Sequence, residues 1–219
     1  MIAWLGRLFG SSIGKKLLMA LSGLLLFGFL VVHLAENLLI YADRTGATFD
    51  GYVRFLSARS WVPLAELALA LLFLVHVVQA VRVSLQNRAA RRTPYAREPG
   101  HGGRTLASTS MLVTGSFVLL FLILHLVQFR FAPPAQREHM ARLLRSEFEK
   151  PLVLGAYVLG LIALAIHLSH GLQSALQSLG LAHPRYTPLV RGLSVVLAML
   201  FALGFGTFPV YFFASGGGR

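Results

Sequence analysis

Four histidines, His33, His76, His125 and His167, each stand deep inside a long apolar stretch of the chain. Hydrocarbon surroundings tolerate an ionisable side chain only where it faces a bundle interior, pairs with another group or binds something. One such residue per stretch is a functional pattern, and four of them make two axial pairs for a bound metal.

The stretches that must position these histidines are membrane spans by composition. Hydrophobic residues make up 56% of the chain and charged ones 13%, and the mean hydropathy is +0.68. A bilayer core about 30 Å thick needs roughly 20 apolar residues in a helix. Windows near 16–41, 61–85, 107–131, 151–177 and 189–213 meet that requirement and predict an all-α fold, one five-helix transmembrane domain over 1–219. The first run, Leu17 to Ile40, is too long for the core of a secretory signal and lacks a small-residue cleavage site, so it is expected to persist as a helix. The chain has no cysteine, which excludes disulfides, thiolate-held clusters and covalent attachment of a c-type haem. Any haem is therefore held non-covalently, and chemistry that needs iron–sulfur clusters or a covalent flavin belongs to partner subunits.

The net charge of +12 does not point to nucleic acid, because the basic residues fall in loops and at helix ends. Anionic lipid headgroups explain them. With the N-terminus inside, a small majority of the Lys and Arg is cytoplasmic: Arg7, Lys15 and Lys16, then Arg82, Arg88, Arg91, Arg92, Arg97 and Arg104, then Arg185 and Arg191.

Depth then sorts the histidines. His33 is about 8 residues, roughly 12 Å, from the outer end of the first span, and His125 about 5 residues, roughly 8 Å, from that of the third. His76 and His167 lie about 9 and 10 residues, roughly 13 to 15 Å, from the inner ends of the second and fourth spans. A haem standing along the membrane normal needs its axial imidazoles at matching depth, which pairs His33 with His125 and His76 with His167. A zinc ion would need all four at one depth, with ligands about 2.1 Å from the metal.

An internal repeat leads to the same pairs. Ser22-Gly23 precedes His33, and Thr114-Gly115 precedes His125, with ten residues from Gly to His in both. The second span reads HVVQAVR from His76 and the fourth HLSHGLQ from His167, with Ala80 or Gly171 four positions on. Small residues there let a backbone or a flat macrocycle come close. The first two spans are thus repeated as the third and fourth, with the fifth alongside. A lone intramembrane histidine often serves as an interhelical hydrogen bond; four matched in depth and repeat phase are poorly explained that way. His170 follows His167 by three residues, about 300° of helix, and cannot address the same iron, so its expected role is at a macrocycle edge or a helix contact. His101, His139 and His183 fall in polar loops.

With this histidine placement, the SG and TG steps and HLSHGLQSALQSLG in the fourth span, nearly the whole chain from Lys15 to Phe213 resembles the single-chain, five-helix, two-haem cytochrome b anchor of succinate:quinone oxidoreductases, the succinate dehydrogenases and fumarate reductases of complex II. The resemblance implies electron transfer between an iron–sulfur subunit, itself served by a flavoprotein subunit, and a membrane quinone, with menaquinone favoured over ubiquinone. It implies two haem b groups in a bacterial inner membrane, the proximal one on His76 and His167 and the distal one on His33 and His125. Bis-histidine ligation fills both axial positions and suits electron transfer.

Haem propionates need donors, for which Arg82, six residues after His76, is the candidate, with snorkelling to headgroups as its plainer use. Ser22 and Thr114 are candidate donors to a haem or its neighbours. Glu36, one turn past His33, is the candidate for quinone-linked proton transfer, in competition with Asp43, Asp50 and Glu66 and with a simple reach to water. The alternatives are a haem b anchor of a hydrogenase or formate dehydrogenase type, whose partner sits on the outer face, and a transporter or channel using the histidines as a proton relay.

Overall fold

The computed structural model describes residues 10–89 and 106–216. Arg7, Arg91, Arg92, Arg97, Arg104 and His101 lie outside the described residues, as does the side chain of Arg88. Every regular element among the described residues is helical. In hydrocarbon the backbone must satisfy its own hydrogen bonds, and a helix does so within one segment.

Helix α1 covers Ser12–Asn37 and runs on through a 3₁₀ turn, Leu38–Tyr41. It starts four residues before the apolar run suggests, because the Ser11 side chain caps it by accepting from the Gly14 N–H at 3.0 Å. Helix α2 is Ala47–Ser57 and α3 is Val62–Ala89. Helix α4, Leu106–His125, continues into a π-helical turn, Leu126–Arg130. Two short helices follow, α5 at Pro134–Arg137 and α6 at Met140–Phe148. Helix α7, Pro151–Ser178, begins on a proline suited to a first turn and ends at Gly180, whose φ of 79° is the left-handed conformation that closes helices. Helix α8 is Thr187–Gly216.

Helices α1, α3, α4, α7 and α8 are long and apolar enough to cross a membrane, and their directions alternate. Their lipid-facing character is plain in side chains such as Leu25, Leu71, Leu120 and Leu203, all more than half exposed. Helix α1 packs on α3 and α7, and α7 packs on α4 and α8, while α3 and α4 touch only slightly. The four histidine-bearing helices therefore form a ring in which α1 faces α4 and α3 faces α7 across the interior. Helix α8 lies outside, against α7.

Helices α2, α5 and α6 gather at one end of the bundle, the capped end; the opposite one is the open end. The short helices are amphipathic rather than apolar, so a search for spans passes over them. Their apolar faces join Ile40, Phe49, Phe129, Phe148, Phe208 and Phe212 in a buried cluster. Asp43 caps α2 by accepting from the N–H groups of Thr45, Ala47 and Thr48 and from the Thr45 hydroxyl, and those bonds, the Thr45 hydroxyl first, hold its carboxyl well below the ordinary range. Asp50 accepts from the Ala141 N–H at 2.8 Å and so ties α2 to the start of α6. Gly46 has φ 76° and leaves no room for a side chain against Ala141.

Candidate functional site

The interior of the ring holds two imidazole pairs. His33 of α1 meets His125 of α4 toward the capped end, with ring centroids 5.9 Å apart and planes at 84°. His76 of α3 meets His167 of α7 toward the open end, at 6.3 Å and 76°. Each pair spans one diagonal of the four-helix ring. Two imidazoles on opposite sides of one metal, each bonded at about 2 Å and centred about 1 Å behind the bonded nitrogen, stand about 6 Å apart. Both pairs match that separation. Among the described residues no three His, Asp or Glu side chains converge to form a metal cage, so each pair could offer a metal two imidazoles.

The contacts behind the ligands differ from what spacing alone suggests. Ser22 and Gly23 do not serve His33, ten residues on in their own helix; they lie against His76 of the neighbouring antiparallel helix. The buried Ser22 hydroxyl donates to the carbonyls of Leu18 at 2.7 Å and Met19 at 3.1 Å, so its oxygen is the part that faces His76 Nδ1 at 3.3 Å. The Met19 carbonyl stands 3.2 Å from the same nitrogen. A Cβ on Gly23 would lie 3.1 Å from His76 Cε1. Gly115 stands in the same relation to His167, with 3.4 Å from its would-be Cβ to Cε1. Beside it the Thr114 hydroxyl, also buried, donates to the Ser110 carbonyl at 3.0 Å and lies 3.3 Å from that of Met111. His167 Nδ1 is buried with no hydrogen-bond partner.

His170 is half-buried, and the ring that meets His76 belongs to His167 instead. Arg82 is exposed toward the open end. Of the four acids weighed for proton transfer, Asp43 and Asp50 brace the capped end. Glu66 is occupied by a bidentate pair with Arg130, at 2.7 and 2.6 Å, that ties α3 to the turn after α4. Glu36, partly buried, accepts from the Tyr52 hydroxyl at 2.6 Å, and that bond pushes the Tyr52 phenol up to about 12.

Sequence reasoning missed the residues around His125. Its Nδ1 lies 3.3 Å from the Tyr157 hydroxyl, which donates to Gln128 Oε1 at 3.0 Å; Gln128 in turn donates to Glu147 at 3.2 Å. A signal was present. A polar residue stands three places after each of the four histidines: Glu36, Gln79, Gln128 and His170. That spacing keeps it on the ligand's face of the helix. Gln79, 7% exposed, has its Oε1 buried without a partner.

No protein-family model, no curated protein and no solved structure matches this chain.

Proposed function

We propose that this chain is a di-haem cytochrome b membrane anchor that passes electrons between an iron–sulfur subunit and a membrane quinone, as in the succinate dehydrogenases and fumarate reductases it resembles. The observation that carries the reading is the pair of imidazole couples on the two diagonals of one helix ring, at two levels and at the separation two axial ligands require. When bound, the two haems supply one-electron iron chemistry.

The chain's own residues define the rest. His76 with His167 would hold the proximal haem and His33 with His125 the distal one, and closing both axial positions keeps other ligands off the iron. Ser22 and the Met19 carbonyl accept from His76 Nδ1–H, which leaves Nε2 as the ligating nitrogen. Thr114, beside Gly115, is the candidate polar contact for a haem or its neighbours. Arg82 is placed to neutralise a propionate at the open end. Glu36, held by Tyr52 one turn beyond His33, is placed to exchange protons with a quinone, menaquinone in preference to ubiquinone, at the capped end. The open end then faces the cytoplasm of a bacterial inner membrane, where the iron–sulfur and flavoprotein subunits dock.

Reduced-minus-oxidised spectra of the purified chain test the reading. Two b-type haems are expected, and a chain without a haem band overturns it. His76→Ala should lose one haem of two; keeping both contradicts the pairing. Co-purification with a subunit carrying covalent flavin separates a complex II anchor from that of a hydrogenase or formate dehydrogenase.

A further inference from the structure

Among the described residues, His125 is the one of the four histidines joined to a carboxylate through a chain of hydrogen bonds. Tyr157 has one hydroxyl hydrogen, and it goes to Gln128 Oε1 at 3.0 Å. The phenolic oxygen is therefore an acceptor toward His125 Nδ1, 3.3 Å away, and Nδ1 carries the hydrogen. With Oε1 of Gln128 taken, its Nε2 donates to Glu147 Oε2 at 3.2 Å. Every donor in the chain thus points the same way, from the imidazole to the carboxylate, and no other placement of the Gln128 amide satisfies both of its bonds. Lys150 holds the other Glu147 oxygen at 2.5 Å, but its side chain is 56% exposed against 18% for Glu147, so solvent screens the ammonium more than the carboxylate. The Tyr157 ring is only 5% exposed and is wedged between Phe121 and Phe148, with centroids at 5.0 and 4.9 Å. Its hydroxyl has no room to swing away.

The other three ligands lack such a chain. His76 Nδ1 meets a neutral carbonyl and a hydroxyl whose hydrogen is already spent. His167 Nδ1 has no partner. His33 Nδ1 stands 3.3 Å from the amide nitrogen of Asn37, itself a donor to the His33 carbonyl at 2.7 Å.

We infer that Tyr157, Gln128 and Glu147 are positioning residues that fix the His125 tautomer and enrich its Nε2, lowering the reduction potential of the haem it would hold relative to the same site without them. The inference rests on the two-haem reading above. A hydrogen bond that runs to an anion draws the Nδ1 proton away from the ring, enriches Nε2, and stabilises ferric over ferrous iron.

Redox titration of the full chain in membranes tests it. Tyr157→Phe keeps the ring and removes the relay. It should raise the reduced-to-oxidised ratio at fixed potential three- to ten-fold, at most about 59 mV for one electron, for the haem that His125→Ala abolishes, and leave the other haem unmoved. Glu147→Gln, at the rim of the core, should shift the same haem in the same direction by less, and it carries the test alone if Tyr157→Phe fails to fold. Ser22→Ala should move only the other haem. Two bound haems with the His125 site unmoved or lowered overturns the relay while sparing the two-haem reading; a wild-type chain without haem overturns both.

Discussion

Around His33 and His125 the helices are braced by aromatic rings, whereas around His76 and His167 small and polar buried side chains stand beside the leucines Leu164 and Leu168 of a second, smaller cluster. Phe129, Phe148, Tyr157, Phe208 and Phe212 fill the capped end. The buried side chains nearer the open end include Ala20, Ser22, Gln79, Thr114, Ala175 and Ser194. Two imidazole pairs of nearly equal geometry thus sit in unlike matrices. At the capped end aromatic area consolidates the fold and packs tightly around Tyr157, the hydrogen-bond partner of His125. At the open end small residues let flat groups and backbones approach, and the packing left to the protein alone is thin. A flat group held between His76 and His167, as proposed, would contribute there what side chains contribute at the other end.

The sharpest way to break that contrast is to withhold the proposed haems. Haem-free chain, made in haem-deficient cells, should exchange backbone amides far faster in the open-end turns of α1 and α3 than around Phe148 and Phe212, by at least about tenfold, because local opening follows missing contacts. Equal protection at both ends would remove the distinction. A smaller effect should come from two glycines of α7. Gly160 is filled against by Phe121, so Gly160→Val should cost about 1 to 3 kcal/mol through overpacking, whereas Gly171 opens onto free space and Gly171→Ala should be neutral for folding. Thermal melts in detergent compare the two.

Next in size is the pair of glycines behind the open-end ligands. Gly23→Ala places a methyl at 3.1 Å from His76 and must push the ring by a few tenths of an ångström, while Gly115→Ala adds only ordinary contact to His167 at 3.4 Å. Loss or a spectral shift of one haem in the first variant and none in the second is expected, read from the absorbance of the purified proteins. The smallest effect is a pH edge at the capped end. Tyr52 is raised to about 12 by its bond to Glu36. A raised folded value means that the bond's contribution is complete below the ordinary phenol value and is lost as pH rises through about 12. Tyrosinate absorbance should show Tyr52 titrating above the ordinary phenol range, and Glu36→Gln should bring it down.

How far the chain could be read without its structure follows the same division. The span interiors, the depths of the histidines and the contrast between apolar faces and basic ends are properties of single segments, since lipid obliges each span to satisfy its own backbone and hide its own polar groups. Depth alone also pointed to the ring partners that meet across the interior. The polar residue three places after each histidine was equally local; Glu36 and His170 were read singly, and Gln79 and Gln128 went unread because depth drew attention to the histidines. The capping helices escaped for another reason: Ala47–Ser57 and Met140–Phe148 are too short and too charged to register as spans, and their apolar faces acquire meaning only against each other.

By itself, then, the sequence determined an all-helical chain with five helices fit to cross a membrane and a histidine set deep along the length of four of them, because each of those facts is written within one helix. Only the tertiary structure decided that Ser22 and Gly23 back His76 rather than their own helix's histidine, that His125 reaches Glu147 through Tyr157 and Gln128, and that the capped end holds the aromatic cluster. Those outcomes depend on the rotation of one helix about its axis relative to the next, and no spacing along a single chain segment encodes that angle.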